Sequence, residues 1–168
     1  TQQLQQEMLE AYRRYEFHLI YQKVHNFCSV DLGAFYLDVL KDRLYTMPAN
    51  SHARRSAQSA MYLIIDAMTR WLAPVLSFTA EEIWKFMPGA AQRPESVFLS
   101  TWLQLPPVTA PQIDWRQLLE LRAAVSGELE KLRVASAIGA PLDAGVTLYA
   151  NAPAYETLNG LGDELRFV

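Results

Sequence analysis

The sequence predicts a mainly α-helical bundle followed by a small α/β appendage. In several stretches of the first 90 residues, apolar side chains recur at spacings of three and four, the period of an amphipathic helix. Serine, threonine or aspartate stands before several of these stretches, where its side chain can cap a helix. Near the end of the chain, residues 145–150 alternate in polarity and include a β-branched pair, which favours a short strand.

The first two helices are predicted over residues 3–27 and from Asp31 to Pro48. The first has an apolar face that includes Met8, Tyr12, Tyr15 and Leu19. Asp31 is the expected N-cap of the second helix. The buried side of that helix is expected to comprise Leu32, Phe35, Tyr36, Val39 and Leu40.

A third helix is predicted from the cap Ser51 to about Leu72, where Pro74 should stop it. Its buried positions are Ala57, Met61, Ile64, Met68 and Trp71. Residues 79–82 then read Thr-Ala-Glu-Glu, the pattern of a capping box, and Phe78 and Ile83 stand at the positions of a hydrophobic staple. This fourth helix should end at residues 87–89.

The remainder divides into a connection and a second helical region. Residues 90–111 are proline-rich, with a strand candidate at 97–99 and Trp102 as an anchor onto the core. Asp114 should cap a long helix, and residues 155–161 a short one. We therefore expect a helical bundle over 1–90, a connecting segment packed on it over 91–112, and a long helix plus the start of a truncated α/β subdomain over 113–168.

Composition indicates an ordinary cytoplasmic protein. Of the 168 residues 51% are hydrophobic, yet no run of about 18 apolar residues and no secretion leader stands in the sequence. The single cysteine, Cys28, agrees with a reducing compartment. The net charge of −3 weakens an RNA-binding hypothesis without excluding it, because residues 1–90 balance nine Lys/Arg against nine Asp/Glu and the acidic excess lies in residues 91–168.

Catalytic and metal motifs are missing from the sequence. It contains no glycine-rich phosphate loop, no Gly-x-Ser-x-Gly turn and no His-Glu-x-x-His helix. His18 and His25 are seven helical residues apart, roughly 10 Å, which is too far to share one ion directly. Cys28 is expected to be a small core residue. We therefore predict no catalytic residue and no metal site.

The basic and aromatic residues of the sequence suggest a surface that binds RNA. Lys41 and Arg43 precede Tyr45, and Arg54 and Arg55 stand in the first turn of the third helix. Arginines beside free backbone N–H groups can bind phosphate, and a tyrosine can stack on an unpaired base. A solvated salt-bridge cluster of Asp38, Asp42 and the arginines, which would stabilise the turn between the helices, explains the pattern equally well. Arg70 is a weaker candidate, on a polar helix face that also carries Asp66.

Several motifs resemble the anticodon-binding helical domain of the bacterial-type, class I isoleucyl-tRNA synthetase family. Residues 31–45, Asp-Leu-Gly-Ala-Phe-Tyr-Leu-Asp-Val-Leu-Lys-Asp-Arg-Leu-Tyr, are the most specific of them. Further similarity lies in residues 15–18, 26–30, 53–56, 71–84, 146–150 and 161–168. The likeness extends over nearly the whole chain and is loosest in residues 90–143.

The resemblance implies that the chain is a fragment of an enzyme that uses ATP to join isoleucine to its tRNA. The chain lacks the family's His-Ile-Gly-His and Lys-Met-Ser-Lys-Ser signatures and its zinc-binding cysteines, so we expect it to be inactive, with ATP and zinc bound elsewhere in the parent. Its expected partners are the anticodon stem-loop of tRNA(Ile) and the catalytic domain of the same chain, in a monomer. RNA contacts are expected at Lys41, Arg43, Tyr45, Arg54 and Arg55, and the alternative is a structural domain that docks onto the synthetase without touching RNA.

Overall fold

The computed structural model describes residues 1–108, 113–162 and 165, and the chain forms two compact units, Thr1–Pro107 and Val108–Val168. Most of the described residues are helical, as predicted. The elements of the first unit are α1 Gln2–Arg13, α2 Phe17–Asn26, a π-helix Phe27–Tyr36, α3 Leu37–Tyr45, α4 His52–Leu72, α5 Ser77–Phe86, and 3₁₀ turns at Ala90–Gln92 and Val97–Leu99. The finer division at residues 90 and 112 stays a proposal.

The prediction of one long helix over residues 3–27 is wrong, because the helix is interrupted between α1 and α2. Tyr15 has a φ of 59°, which no α-helix contains. The backbone N–H of Glu16 donates to the carbonyl of Ala11 at 2.9 Å and thereby closes the end of α1. The apolar spacing continues across this corner, so periodicity alone does not reveal the break.

The helix start predicted at Asp31 is also wrong, because helical backbone runs without interruption from Phe17 through the π-helix to Tyr45. Asp31 lies in the middle of the π-helix and is exposed. At Gly33 a Cβ atom would lie 3.0 Å from the carbonyl oxygen of Cys28, so the glycine permits this close approach. The predicted buried residues are half-buried or buried as expected, with Leu40 the most completely enclosed.

Helix α4 is the centre of the first unit, and its predicted bounds are confirmed. The Oγ of Ser51 accepts a hydrogen bond from the backbone N–H of Arg54 at 3.3 Å, and the helix ends two residues before Pro74. Its Met68 and Trp71 join a core cluster with residues of α1, α2 and the start of the π-helix, against which Trp102 packs as predicted. A second cluster, which includes Ala80 and Trp84 of α5, is covered by Tyr62 and Ile65 of α4.

Tyr12 ties α1 to α4, since its hydroxyl donates to the backbone carbonyl of Trp71. Burial raises the pKa of Tyr12 to about 12, whereas an unfolded tyrosine ionises near 10. The stability contributed by the neutral hydroxyl is thus fully present below pH 10 and lost as pH rises from about 10 to about 12.

We expect the difference in urea midpoint between the unsubstituted chain and Tyr12→Phe to shrink over this range. A difference that is independent of pH contradicts this account.

The capping box predicted at Thr79 is wrong, because α5 begins two residues earlier, at Ser77. The turn after α4 leads directly into α5, where the Ala80 N–H donates to the Leu76 carbonyl at 2.8 Å. Phe78 is exposed, so it does not form the predicted staple with Ile83. The carboxylate of Glu81 instead accepts hydrogen bonds from the Oγ of Ser96 and the N–H of Val97, at 2.9 and 3.1 Å.

These bonds to Glu81 help to explain why the strand predicted at 97–99 is a 3₁₀ turn. Ser96 caps this turn by accepting from the Phe98 N–H at 3.2 Å, and Val97 is buried against α5. The three residues therefore pack on a helix and not along another strand. Nearby, the indole N–H of Trp84 donates to the carbonyl of Pro94 at 2.9 Å.

The second unit contains α6 Trp115–Val134, a 3₁₀ turn at Pro141–Asp143 and α7 Ala152–Gly160. Asp114 caps α6 as predicted, accepting from the Gln117 N–H at 3.1 Å, and α7 covers most of the predicted short helix. The strand predicted at 145–150 is not formed, and the described residues contain no other strand with which it could pair. None of the helices in the described ranges has the length and apolarity needed to cross a bilayer.

Candidate nucleic-acid interface

Four of the five basic residues predicted from the sequence lie where α3 ends and α4 begins, a region that we call the α3–α4 corner (residues 38–55). Tyr45 is the last residue of α3, and 83% of its surface is exposed. The next residue, Thr46, closes the helix through its Oγ, which donates to the carbonyl of Asp42 at 2.6 Å. The tyrosine ring therefore projects into solvent from a helix end whose backbone is well defined.

Arg54 and Arg55 occupy the other side of the corner, in the first turn of α4, and have different environments. The guanidinium of half-buried Arg54 donates to the carbonyl of Met47 at 2.9 Å and so fastens the turn between the two helices. Arg55 is exposed. The first arginine is thus used for structure, whereas the second presents its charge to solvent.

Lys41 and Arg43 lie on α3 itself. Lys41 is exposed and its Nζ lies 2.9 Å from Asp38 Oδ1, an ion pair between residues one helical turn apart. Arg43 is half-buried near Tyr36. Burial raises the pKa of Tyr36, and the positive charge of Arg43 partly opposes that rise.

The corner has a positive formal charge although the chain as a whole is acidic. Residues 38–55 contain the four cations Lys41, Arg43, Arg54 and Arg55 against the two carboxylates Asp38 and Asp42, which leaves +2 with histidine neutral. Exposed ion pairs contribute little energy, typically 0–1 kcal/mol, so the Lys41–Asp38 pair can open when a phosphate approaches. The corner can therefore bind an anionic polymer and stack on an unpaired ring.

Arg70 is far along α4 from the corner and is engaged inside the protein. Its guanidinium lies 2.6 and 3.3 Å from the two carboxylate oxygens of Asp66, donates to the Thr101 carbonyl at 2.7 Å, and lies 5.0 Å from the Trp84 ring centroid. These contacts hold α4, α5 and the connecting segment together. The signal for this role was already in the sequence, because Asp66 precedes Arg70 by one helical turn.

Arg93 is a structural residue that the sequence did not reveal. Its guanidinium lies 4.5 Å from the Trp84 ring centroid and donates to the Met87 carbonyl at 2.6 Å. It stands in the proline-rich connection, where no periodicity marks a residue as buried. Trp84 therefore contacts two arginines, one from α4 and one from the connection.

The remaining candidates for chemistry do not assemble into a site. Among the described residues, no three His, Cys, Asp or Glu side chains come together as possible metal ligands. His25 lies against the ring of Tyr21, with 5.8 Å between the centroids. The prediction that Cys28 is a core residue was wrong, since it is exposed, and partial desolvation raises the pKa of its thiol and disfavours the nucleophilic thiolate.

The chain is similar in sequence to a known protein family and to several curated proteins. A family model described as the anticodon-binding domain of tRNA ligase matches residues 1–148. Three curated relatives, each an isoleucine–tRNA ligase, come from Nitrosococcus oceani, Methylococcus capsulatus and Thioalkalivibrio sulfidiphilus and are 55%, 57% and 58% identical over 98% of this chain. The chain spans 18% of the length of each of these relatives.

Proposed function

This chain belongs to the anticodon-binding domain family of tRNA ligases, and on that premise we propose that it binds the anticodon stem-loop of an isoleucine tRNA through its α3–α4 corner. The observation that carries the proposal is that Tyr45, at the end of α3, and Arg55, in the first turn of α4, are both exposed. Anticodon loops contain unpaired bases, which RNA-binding proteins recognise by stacking them on aromatic rings.

Each residue of the corner has a separate role in this proposal. Tyr45 stacks on a loop base, and Arg55, at the positive end of the α4 dipole, binds a backbone phosphate. Lys41 and Arg43 add positive potential along α3. Arg54 acts indirectly, because its bond to Met47 sets the path of the turn. Arg70 is not included among the contacts, since its donors already bind Asp66 and Thr101.

For the longer protein we propose the activity that its relatives carry in their names, the ligation of isoleucine to its tRNA. Amino-acid activation with ATP and transfer to the tRNA would occur in a catalytic domain outside these 168 residues. The zinc site, the cytoplasmic location and the monomeric state stay predictions. A domain that docks onto the ligase without touching RNA is not favoured, because the family match is to domains that bind the anticodon.

We expect Tyr45→Ala and Arg55→Ala each to weaken binding to an isoleucine anticodon hairpin by about tenfold, in line with the loss of one base stack or one charged hydrogen bond. The two effects differ in salt dependence. Loss of a phosphate contact should reduce the slope of log K against log salt by about 0.7–0.9, whereas loss of a stack should leave it unchanged. Fluorescence anisotropy of a labelled hairpin over a salt series measures both quantities.

The matched control is Arg133→Ala, which removes the same charge from an exposed arginine of α6 that is paired with Glu130. It should leave both affinity and slope unchanged. Equal binding to hairpins with unrelated anticodons, insensitive to Tyr45→Ala and Arg55→Ala, counts against the proposal.

A further inference from the structure

The corner between α1 and α2 places an aromatic residue where helices usually place glycine. The Glu16 N–H donates to the Ala11 carbonyl and the Tyr15 N–H donates to the Tyr12 carbonyl, at 2.9 and 3.2 Å. This pair of bonds is a Schellman motif, in which Tyr15 occupies the left-handed position after the cap. Its φ of 59° is unfavourable for a residue with a Cβ atom, and glycine is the usual occupant.

The side chain of Tyr15 does not offset this strain by being buried. It is 79% exposed. Its ring lies at the surface end of a series of edge-to-face aromatic contacts, with centroid distances of 6.0 Å from Tyr15 to Phe17, 6.1 Å from Phe17 to Tyr12, and 5.8 Å from Tyr12 to Trp102. Tyr12 and Trp102 pack against the core, so the series connects the exposed ring of Tyr15 to the core through Phe17.

The surroundings of Tyr15 favour stacking over phosphate binding. Arg13 and Arg14 share one carboxylate, Glu10, with N–O distances of 3.8 and 2.7 Å. Glu16 balances the second positive charge, so residues 10–16 are formally neutral. An exposed ring in formally neutral surroundings is suited to the face of a nucleobase, which any unpaired nucleotide provides.

We propose that Tyr15 is a second base-stacking contact of this domain and takes an unpaired nucleobase of the bound RNA. The inference rests on the proposed function and adds a contact outside the α3–α4 corner. Strained backbone that a simple substitution would relieve is typical of positions retained for function. Here the strain keeps an aromatic ring at a helix end where glycine would be more stable.

The test is a pair of substitutions, Tyr15→Gly and Tyr15→Phe, assayed with the same labelled anticodon hairpin. Tyr15→Gly should raise the melting temperature by about 2–4 °C, since it relieves the left-handed strain. It should also weaken hairpin binding by about tenfold without changing the salt slope, because stacking releases no phosphate counterions. Tyr15→Phe keeps the ring and should bind within about twofold of the unsubstituted chain.

If Tyr15→Gly is more stable but binds the hairpin more weakly, the loss of affinity is due to a missing contact and not to unfolding. If Tyr15→Gly binds the hairpin normally while Arg55→Ala does not, the stacking proposal is overturned, the proposed function stands, and a protein partner becomes the explanation for the exposed ring. If Tyr15→Phe is as weak as Tyr15→Gly, stacking is again excluded. A chain that binds no hairpin before any substitution overturns both proposals.

Discussion

Replacing Trp71 by alanine should lower the free energy of unfolding by about 3–5 kcal/mol. Trp71 is 0% exposed and lies in the core cluster that joins α4 to α1 and α2. Its indole N–H donates to Oε1 of Gln5 at 2.9 Å, and the amide of Gln5 donates in turn to the Leu103 carbonyl at 3.0 Å. Truncation therefore opens a cavity and leaves a buried acceptor without its donor, which are additive penalties.

Urea unfolding followed by far-UV circular dichroism measures this loss. Phe78→Ala is the matched control, because it also removes an aromatic side chain, but from a position that is 93% exposed. We expect the control to change stability by no more than about 0.5 kcal/mol. Similar losses for the two variants would show that burial at Trp71 is not what stabilises the first unit.

Asp66→Ala should also destabilise the first unit strongly, by about 3–5 kcal/mol. Asp66 is 4% exposed, and its carboxylate is the partner of the mostly buried Arg70 guanidinium. Removing the carboxylate leaves that positive charge desolvated without a counter-ion, although its bond to Thr101 remains possible. Replacing both partners by apolar residues, Asp66→Leu with Arg70→Met, should be much less destabilising than Asp66→Ala alone, since no charge is then stranded.

An exposed ion pair of equal length provides the control. Lys131 Nζ and Glu128 Oε1 are 2.6 Å apart, the same distance as Arg70 Nε and Asp66 Oδ1, but both side chains are 72% exposed. Glu128→Ala should change stability by about 0–1 kcal/mol. Equal losses from Glu128→Ala and Asp66→Ala would contradict the argument that desolvation sets the size of the effect.

Both predictions concern the helix that also carries the proposed phosphate contact, Arg55. Trp71 and Asp66 lie in the second half of α4, whereas Arg54 and Arg55 lie in its first turn. The C-terminal half of α4 is therefore packed in the core, and its N-terminal turn forms part of the α3–α4 corner. Loss of Trp71 should weaken hairpin binding only to the extent that the domain unfolds, while loss of Arg55 should weaken binding in a folded domain.

The sequence predicted helix ends correctly where residues nearby in the chain determine them. Ser51 caps α4 and Asp114 caps α6 because a cap involves only the next three residues, and both predictions are confirmed. The break at Tyr15 was missed because the apolar spacing continues across it, and the start predicted at Asp31 was wrong because a π-helix carries the helical backbone through that region. The strand predicted at 97–99 failed because Glu81, sixteen residues before Val97, accepts hydrogen bonds from this segment.

In the candidate site, too, local features could be predicted from the sequence and contacts between distant residues could not. Lys41 and Tyr45 were predicted as RNA contacts, which requires accessible side chains, and both are exposed. The spacing of Asp66 and Arg70 indicated their ion pair, but the bonds from Arg54 and Arg70 to backbone carbonyls did not follow, because only packing decides whether a guanidinium reaches solvent or a carbonyl. Met47 and Thr101 supply those carbonyls.

By itself the sequence determined the helical class, the limits of α4, the family and the charged corner, because periodicity, caps and local charge act over a few residues. The tertiary structure alone decided which arginines are engaged inside the protein, where the chain turns without proline or glycine, and that an aromatic ring stands exposed at Tyr15. These features depend on contacts between residues far apart in the chain, whose energies no local pattern encodes.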